Sequence, residues 1–308
     1  MRLKLPILPT RFRPLLMAFG SLLPFSLAAQ VPYLEIKNHR AEKLVFGKTD
    51  TTDYQLKKEV IACLPLSPDA EALNPIVRDL LTSAPDDTLD ILLYLHCMWG
   101  GQSLYHKLVL RNLAPELLAP RGNIDRIFPL IWHSGMSYRR NLPKAREIGR
   151  KTGAIIGEVM QRVRRESEQP VRFYLLCHSM GHQVLRGILA KNKDNPAFTF
   201  SQIIFAAADA DYDIFAEGND FSALIPRAKK ITVFVNQNDR ALKASFKINN
   251  VPRLGRAGLK TFVSKKIEVI DVTDIDDVRG LAAKLGGHGY FIASEKVREM
   301  IFSAFVGK

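Results

Sequence analysis

Phe173-Tyr174-Leu175-Leu176-Cys177-His178-Ser179-Met180-Gly181-His182 decides how this chain is read. A compact apolar run stops at a serine, and a helical pattern begins directly after it. A strained turn of this kind lifts the serine hydroxyl above a sheet and directs the next N–H, here of Met180, at a developing oxyanion. Strand and helix backbones approach closely there, so the positions two before and two after the serine must be small. Gly181 satisfies one of them, and Cys177 stands where the other glycine is usual. The competing reading is a chance His-Ser-x-Gly at a strand end.

A serine hydroxyl needs a base to take its proton and a carboxylate to hold that base, in the chain order serine, acid, histidine. Asp239 follows an apolar run in Asn236-Gln237-Asn238-Asp239-Arg240, and His288 lies in Gly286-Gly287-His288-Gly289-Tyr290-Phe291. Both are expected on loops at the carboxyl ends of strands, where open α/β sheets build their sites. Asp209 and Asp211 compete for the acid's role, while His178 and His182 are read as structural, His182 facing away from the serine. Leu95-His96-Cys97-Met98-Trp99-Gly100-Gly101 ends an earlier strand and is expected to supply a second oxyanion donor from the N–H of Cys97 or Met98. If their strands are neighbours, Cys97 and Cys177 come close enough for an oxidised link to be considered.

Six apolar runs alternate with helical patterns: Leu89 to Cys97, Arg126 to Trp132, Val171 to Cys177, Gln202 to Ala208, Ile231 to Val235 and Ile267 to Val272. That alternation predicts a mostly parallel sheet with helices on both faces, in a single domain. Pro143 is expected to open the first crossover helix, with Ile148, Ile155, Ile156, Val159, Met160 and Val163 on its inner face. A second helix follows His178, faces inward through Val184, Leu185, Ile188 and Leu189, and is closed by Asn192, Asn195 and Pro196. Between Val31 and Asp87 the pattern is weaker. Glu59 to Leu66 and the stretch around Tyr54 are expected as antiparallel edge strands, and Ala70 to Leu81 as a helix.

Taken together, Leu95-His96, Ile131-Trp132-His133-Ser134-Gly135 with Tyr138, His178-Ser179-Met180-Gly181, Ala206 to Phe215, Asn238-Asp239-Arg240-Ala241-Leu242, Arg253-Leu254-Gly255 and Gly287-His288-Gly289-Tyr290-Phe291 resemble a bacterial family of predicted α/β-hydrolases of unknown function. The resemblance spans about residues 89 to 292 and implies an α/β-hydrolase fold with a triad of Ser179, Asp239 and His288. It names no substrate. His133 stands where that family tends to have proline, and Cys97 where it has glycine.

With 308 residues, 47% of them hydrophobic and 24% charged, the chain can bury a large core without a disulfide framework. Residues 1–29 are read apart from residues 30–308: Arg2, Lys4, Arg11 and Arg13 precede an uncharged apolar stretch that ends at Ala28 and Ala29, the pattern of a secretory signal peptide. An uncleaved membrane anchor is the alternative, although Pro24 and Pro32 would interrupt it. Removal of the leader takes the formal net charge from +13 to about +9. The cations are dispersed and lack the aromatic interleaving of a nucleic-acid groove, so no nucleic-acid partner is expected. From Arg240 to Lys266 there are eight basic residues and no acid, which reads first as a solvated basic flank and, as the alternative, as peripheral contact with a membrane surface or an anionic substrate. Cys63, Cys97 and Cys177 make an odd number with no zinc spacing, and no metal or organic cofactor is implied. Gly47-Lys48-Thr49 lacks the rest of a phosphate loop, and Asp209, Asp211 and Asp213 are read as loop caps, since no glutamate completes a calcium loop. The expectation is an exported serine hydrolase, periplasmic or secreted, that cleaves acyl bonds of small-molecule or lipid esters through an acyl-enzyme. The alternative is a catalytically silent scaffold that binds a lipid or protein partner.

Overall fold

The six apolar runs become parallel strands of one nine-stranded sheet, each reached by a crossover connection that re-enters the sheet in the same direction. The computed structural model describes residues 30–36, 40–50, 58–82, 87–98, 124–278 and 287–306; the leader and the segment around Tyr54 lie outside them. The strands are β1 (Gln30–Ile36), β2 (Lys43–Asp50), β3 (Lys58–Pro65), β4 (Leu89–Leu95), β5 (Arg126–Trp132), β6 (Val171–His178), β7 (Phe200–Ala206), β8 (Ala228–Val235) and β9 (Ile267–Asp271). Their order is β3-β2-β1-β5-β4-β6-β7-β8-β9. Strands β1 to β3 pair antiparallel, and from β1 through β5 to β9 every pairing is parallel.

Alternation along each central strand sends side chains to two cores. Ile91, Leu93 and Leu95 of β4 face one, and Leu92 and Tyr94 the other. Helix α1 (Asn74–Leu80), helix α2 (Tyr138–Glu166) and helix α3 (Gly181–Asn192) cover the first face through Ile76, Ile155, Val159, Val184 and Ile188. Helix α4 (Arg240–Asn249) and the C-terminal helices α6 (Tyr290–Ala293) and α7 (Glu295–Val306) cover the second through Leu242, Phe291, Val297 and Ile301; the short α5 (Leu254–Ala257) sits beside β8. The layered α/β arrangement expected from the sequence is therefore present.

Two local expectations are corrected. Pro143 lies inside α2, which begins at Tyr138. The ring removes a single early-turn hydrogen bond, and Asn141 braces that turn: its Oδ1 accepts from Gly135 N at 3.1 Å and its Nδ2 donates to Gly135 O at 2.6 Å. Strands β1 and β2 add pairings that the sequence pattern did not mark, because Pro32 and Glu35 in the one and Gly47 and Lys48 in the other break the alternation. Glu35 is buried and its Oε1 lies 2.5 Å from His133 Nε2, which ties β1 to the end of β5 and gives His133 a structural task. Gly47-Lys48-Thr49 lies within a strand, where Lys48 pairs with Asp79, so it cradles no phosphate.

Candidate active site

The elbow forms where the sequence placed it. Strand β6 ends at His178, Ser179 adopts φ 50°, and α3 begins at Gly181. A non-glycine residue in the left-handed region carries backbone strain, and here the surroundings hold it. Ser179 N donates to Ala206 O at 3.1 Å, and Ser179 O accepts from His182 Nδ1 at 2.6 Å. A Cβ at position 181 would come within 2.5 Å of Leu95 O, so only glycine fits there. Two residues before the serine the demand is weaker. Cys177 is fully buried, level with Leu95 on one neighbouring strand and Phe205 on the other.

The serine's predicted partners come to it from β8 and from the segment after β9. His288 Nε2 lies 2.9 Å from Ser179 Oγ, and His288 Nδ1 lies 2.7 Å from Asp239 Oδ2. Asp239 is also the N-cap of α4, its Oδ1 accepting from Leu242 N at 2.9 Å. One carboxylate oxygen thus anchors the loop while the other faces the imidazole. The side chain of Asp239 is fully enclosed and that of His288 is 18% exposed, so water reaches the ring but not the charge behind it. Burial alone would depress the imidazole's pKa; the charge of Asp239, its hydrogen bond and the more distant Asp209 outweigh burial and raise it.

Several residues without a catalytic assignment in the sequence hold these three in place. Tyr290 is buried, and its hydroxyl accepts from Ala207 N at 2.8 Å and donates to Phe234 O at 3.1 Å, bridging the ends of β7 and β8 just after His288. Gly287, at φ 79°, sits where a Cβ would be 2.8 Å from Asn236 Nδ2. The signal for both was the Gly-Gly-His-Gly-Tyr run itself. His178 packs on Phe291 at 4.5 Å between ring centres, with Nε2 3.3 Å from His288 O. His182 does not face away from the elbow as expected. It grips the serine's carbonyl, packs at a tilt on Phe205 with 4.7 Å between ring centres, and is pushed down to about 4 by burial, which keeps it neutral.

The rival acids are spoken for. Asp209 Oδ1 accepts from Arg253 Nε at 2.9 Å and from Ser245 Oγ at 2.5 Å, and Asp211 Oδ1 lies 2.5 Å from Arg253 Nη1. Asp213 faces Lys260 at 3.7 Å. These are ion pairs rather than the loop caps read from the sequence. Neither Asp209 nor Asp211 replaces Asp239 beside the imidazole.

Met180 O accepts from Gln183 N at 2.9 Å, while the Met180 N–H takes no backbone partner among the described residues. Cys97 and Met98 follow β4, directly beside the elbow. His96 fixes that segment: Nδ1 donates to Cys97 O at 2.5 Å, and Nε2 accepts from Trp132 N at 3.0 Å. The Cys97 thiol donates to Met98 O at 2.9 Å and is pushed up to about 12 by burial, and Cys97, Cys177 and Cys63 are all unbridged. The Trp99-Gly100-Gly101 continuation lies outside the described residues.

No curated protein matches the chain. Among solved structures, the "putative cell surface hydrolase from Lactobacillus plantarum WCFS1" aligns over 73% of this chain and 94% of its own, at 10% identity and a TM-score of 0.40. The family model described as alpha/beta hydrolase of unknown function (DUF900) matches residues 144–304, a span that holds Ser179, Asp239 and His288, and the chain belongs to that family.

Proposed function

We propose that this chain is an exported serine hydrolase that cleaves acyl bonds, carboxylic esters foremost, through an acyl-enzyme on Ser179. The single observation that carries the reading is the unbroken line Ser179 Oγ to His288 Nε2 to Asp239, at 2.9 and 2.7 Å, behind a serine at φ 50°. As Ser179 Oγ attacks an acyl carbon, its proton passes to His288 Nε2, while Nδ1–H stays bonded to Asp239. The imidazolium then gives that proton to the leaving oxygen; in the second half the neutral imidazole takes a proton from water as the water oxygen attacks the acyl carbon, and returns it to Ser179 Oγ as the acid departs. The N–H groups of Met180 and of Cys97 or Met98 hold the oxyanion.

Export rests on the leader in residues 1–29, with a membrane-anchored form as its variant. The silent scaffold was motivated by cysteines at two glycine positions. A strained serine already bonded to a base favours the enzyme, since a chain that did no chemistry would gain nothing from the strain. Purified protein is tested on p-nitrophenyl esters of short and long acyl chains, with thioester and amide analogues. The reading expects ester turnover that Ser179→Ala abolishes; a folded wild-type chain inert toward all of them contradicts it.

A further inference from the structure

Helix α4 follows its N-cap Asp239, the acid beside His288, and carries a basic outer face. Leu242 and Ser245 are buried beneath it. By helical periodicity Arg240, Lys243 and Lys247 occupy the opposite, outermost face, with Phe246 on one flank and Ile248 on the other, 38% and 37% exposed. The start of α2 is stapled alongside: Tyr138 Oη lies 2.8 Å from Ser245 Oγ and accepts from Asn249 Nδ2 at 2.9 Å. That staple brings Arg139, Arg140 and the 81% exposed Met136 to the same rim of the sheet, the rim on which Ser179 opens. Among the described residues none of these five cations is in an ion pair with a carboxylate, whereas the buried Arg253 nearby is paired with Asp209. Five cations without a carboxylate partner among the described residues, flanked by three exposed apolar side chains, form a surface that an anionic, partly apolar partner would suit.

We propose that the start of α2 and helix α4 form a docking face for an anionic lipid bilayer, which presents acyl esters in that surface to Ser179. The proposal takes the hydrolase reading as given and names its substrate class. Charge complementarity selects an anionic partner, since cationic side chains are attracted to the negative potential of acidic headgroups. The apolar component selects a bilayer over a nucleic acid. Met136, Phe246 and Ile248 gain by entering the headgroup boundary and have nothing to gain from a phosphate backbone.

The test is co-sedimentation of the full chain with vesicles of phosphatidylcholine alone and of phosphatidylcholine with a quarter phosphatidylglycerol. Binding is expected for the second and not the first, with release at high salt. Lys243→Gln with Lys247→Gln lowers the partition coefficient about 25-fold, at about fivefold per charge, and Phe246→Ser lowers it about tenfold. The leader is common to every variant, so a loss reports on this face. Lys243→Arg with Lys247→Arg retains binding, which separates charge from folding. Ser179→Ala binds as the wild type does, so failure of the hydrolase reading and failure of docking are read separately. Equal binding to both vesicles, or no loss in the Gln variant, overturns the proposal. So does equally tight binding to duplex DNA that Phe246→Ser leaves unchanged, which would make the face a general polyanion site.

Discussion

Two buried carboxylates stand at the ends of adjacent strands, Asp239 after β8 and Asp209 after β7, and they have acquired opposite tasks. Asp239 gives one oxygen to the N–H of Leu242 and the other to His288, with no cation bonded to it among the described residues. Asp209 is neutralised by Arg253, whose Nη2 also donates to the Asp209 carbonyl at 2.7 Å. A carboxylate locked to a guanidinium lends a distant imidazolium less of its field than one bonded to the imidazole itself, with no cation beside it among the described residues. Burial is common to both, so the partner decides which of the two faces the imidazole.

The largest effect that sharpens this contrast is Asp239→Asn. It keeps the shape but favours the wrong imidazole tautomer, and ester turnover is expected to fall about 10⁴-fold, measured as kcat at constant KM. Asp209→Asn is expected to leave kcat within about tenfold while lowering stability by about 2 to 3 kcal/mol, because Arg253 keeps only Asp211. Denaturant unfolding measures it, and an unchanged midpoint would break the comparison. Tyr290→Phe removes one hydroxyl from between the two strand ends. It should cost about 1 to 2 kcal/mol, with kcat falling more than KM changes.

The smallest effect is one of pH. His288 must be neutral to act as base, and its pKa is raised, so the acid limb of kcat/KM should have its midpoint above the usual histidine value of 6.5. His182 works in the other direction on stability. Its folded pKa is lowered from 6.5 to about 4, so the unfolded state binds the proton first, and stability falls as pH drops through that window. Replacing His182 with glutamine should flatten that part of the unfolding profile.

The central fold and the meeting of Ser179, His288 and Asp239 are legible because each depends on local pattern. Buried parallel strands must be apolar throughout, and the elbow and the His288 segment carry small residues at positions fixed by the backbone. Contacts between distant segments were not legible. Nothing in Glu35 or His133 alone announces their bond, and β1 reads as broken because its polar residue is satisfied across the sheet. Arg253 reads as one cation of a basic run, yet its side chain is buried between Asp209 and Asp211. The gripping contact of His182 depends on the ring turning back to its own helix start, which spacing cannot indicate.

Fluorophosphonate inactivation, with the adduct located by mass spectrometry, tests the central claim most directly. The adduct is expected on Ser179, with a rate that falls at least about 10³-fold in Asp239→Asn and by less than about tenfold in Asp209→Asn. An adduct on another residue, or equal rates in the two variants, would contradict the account.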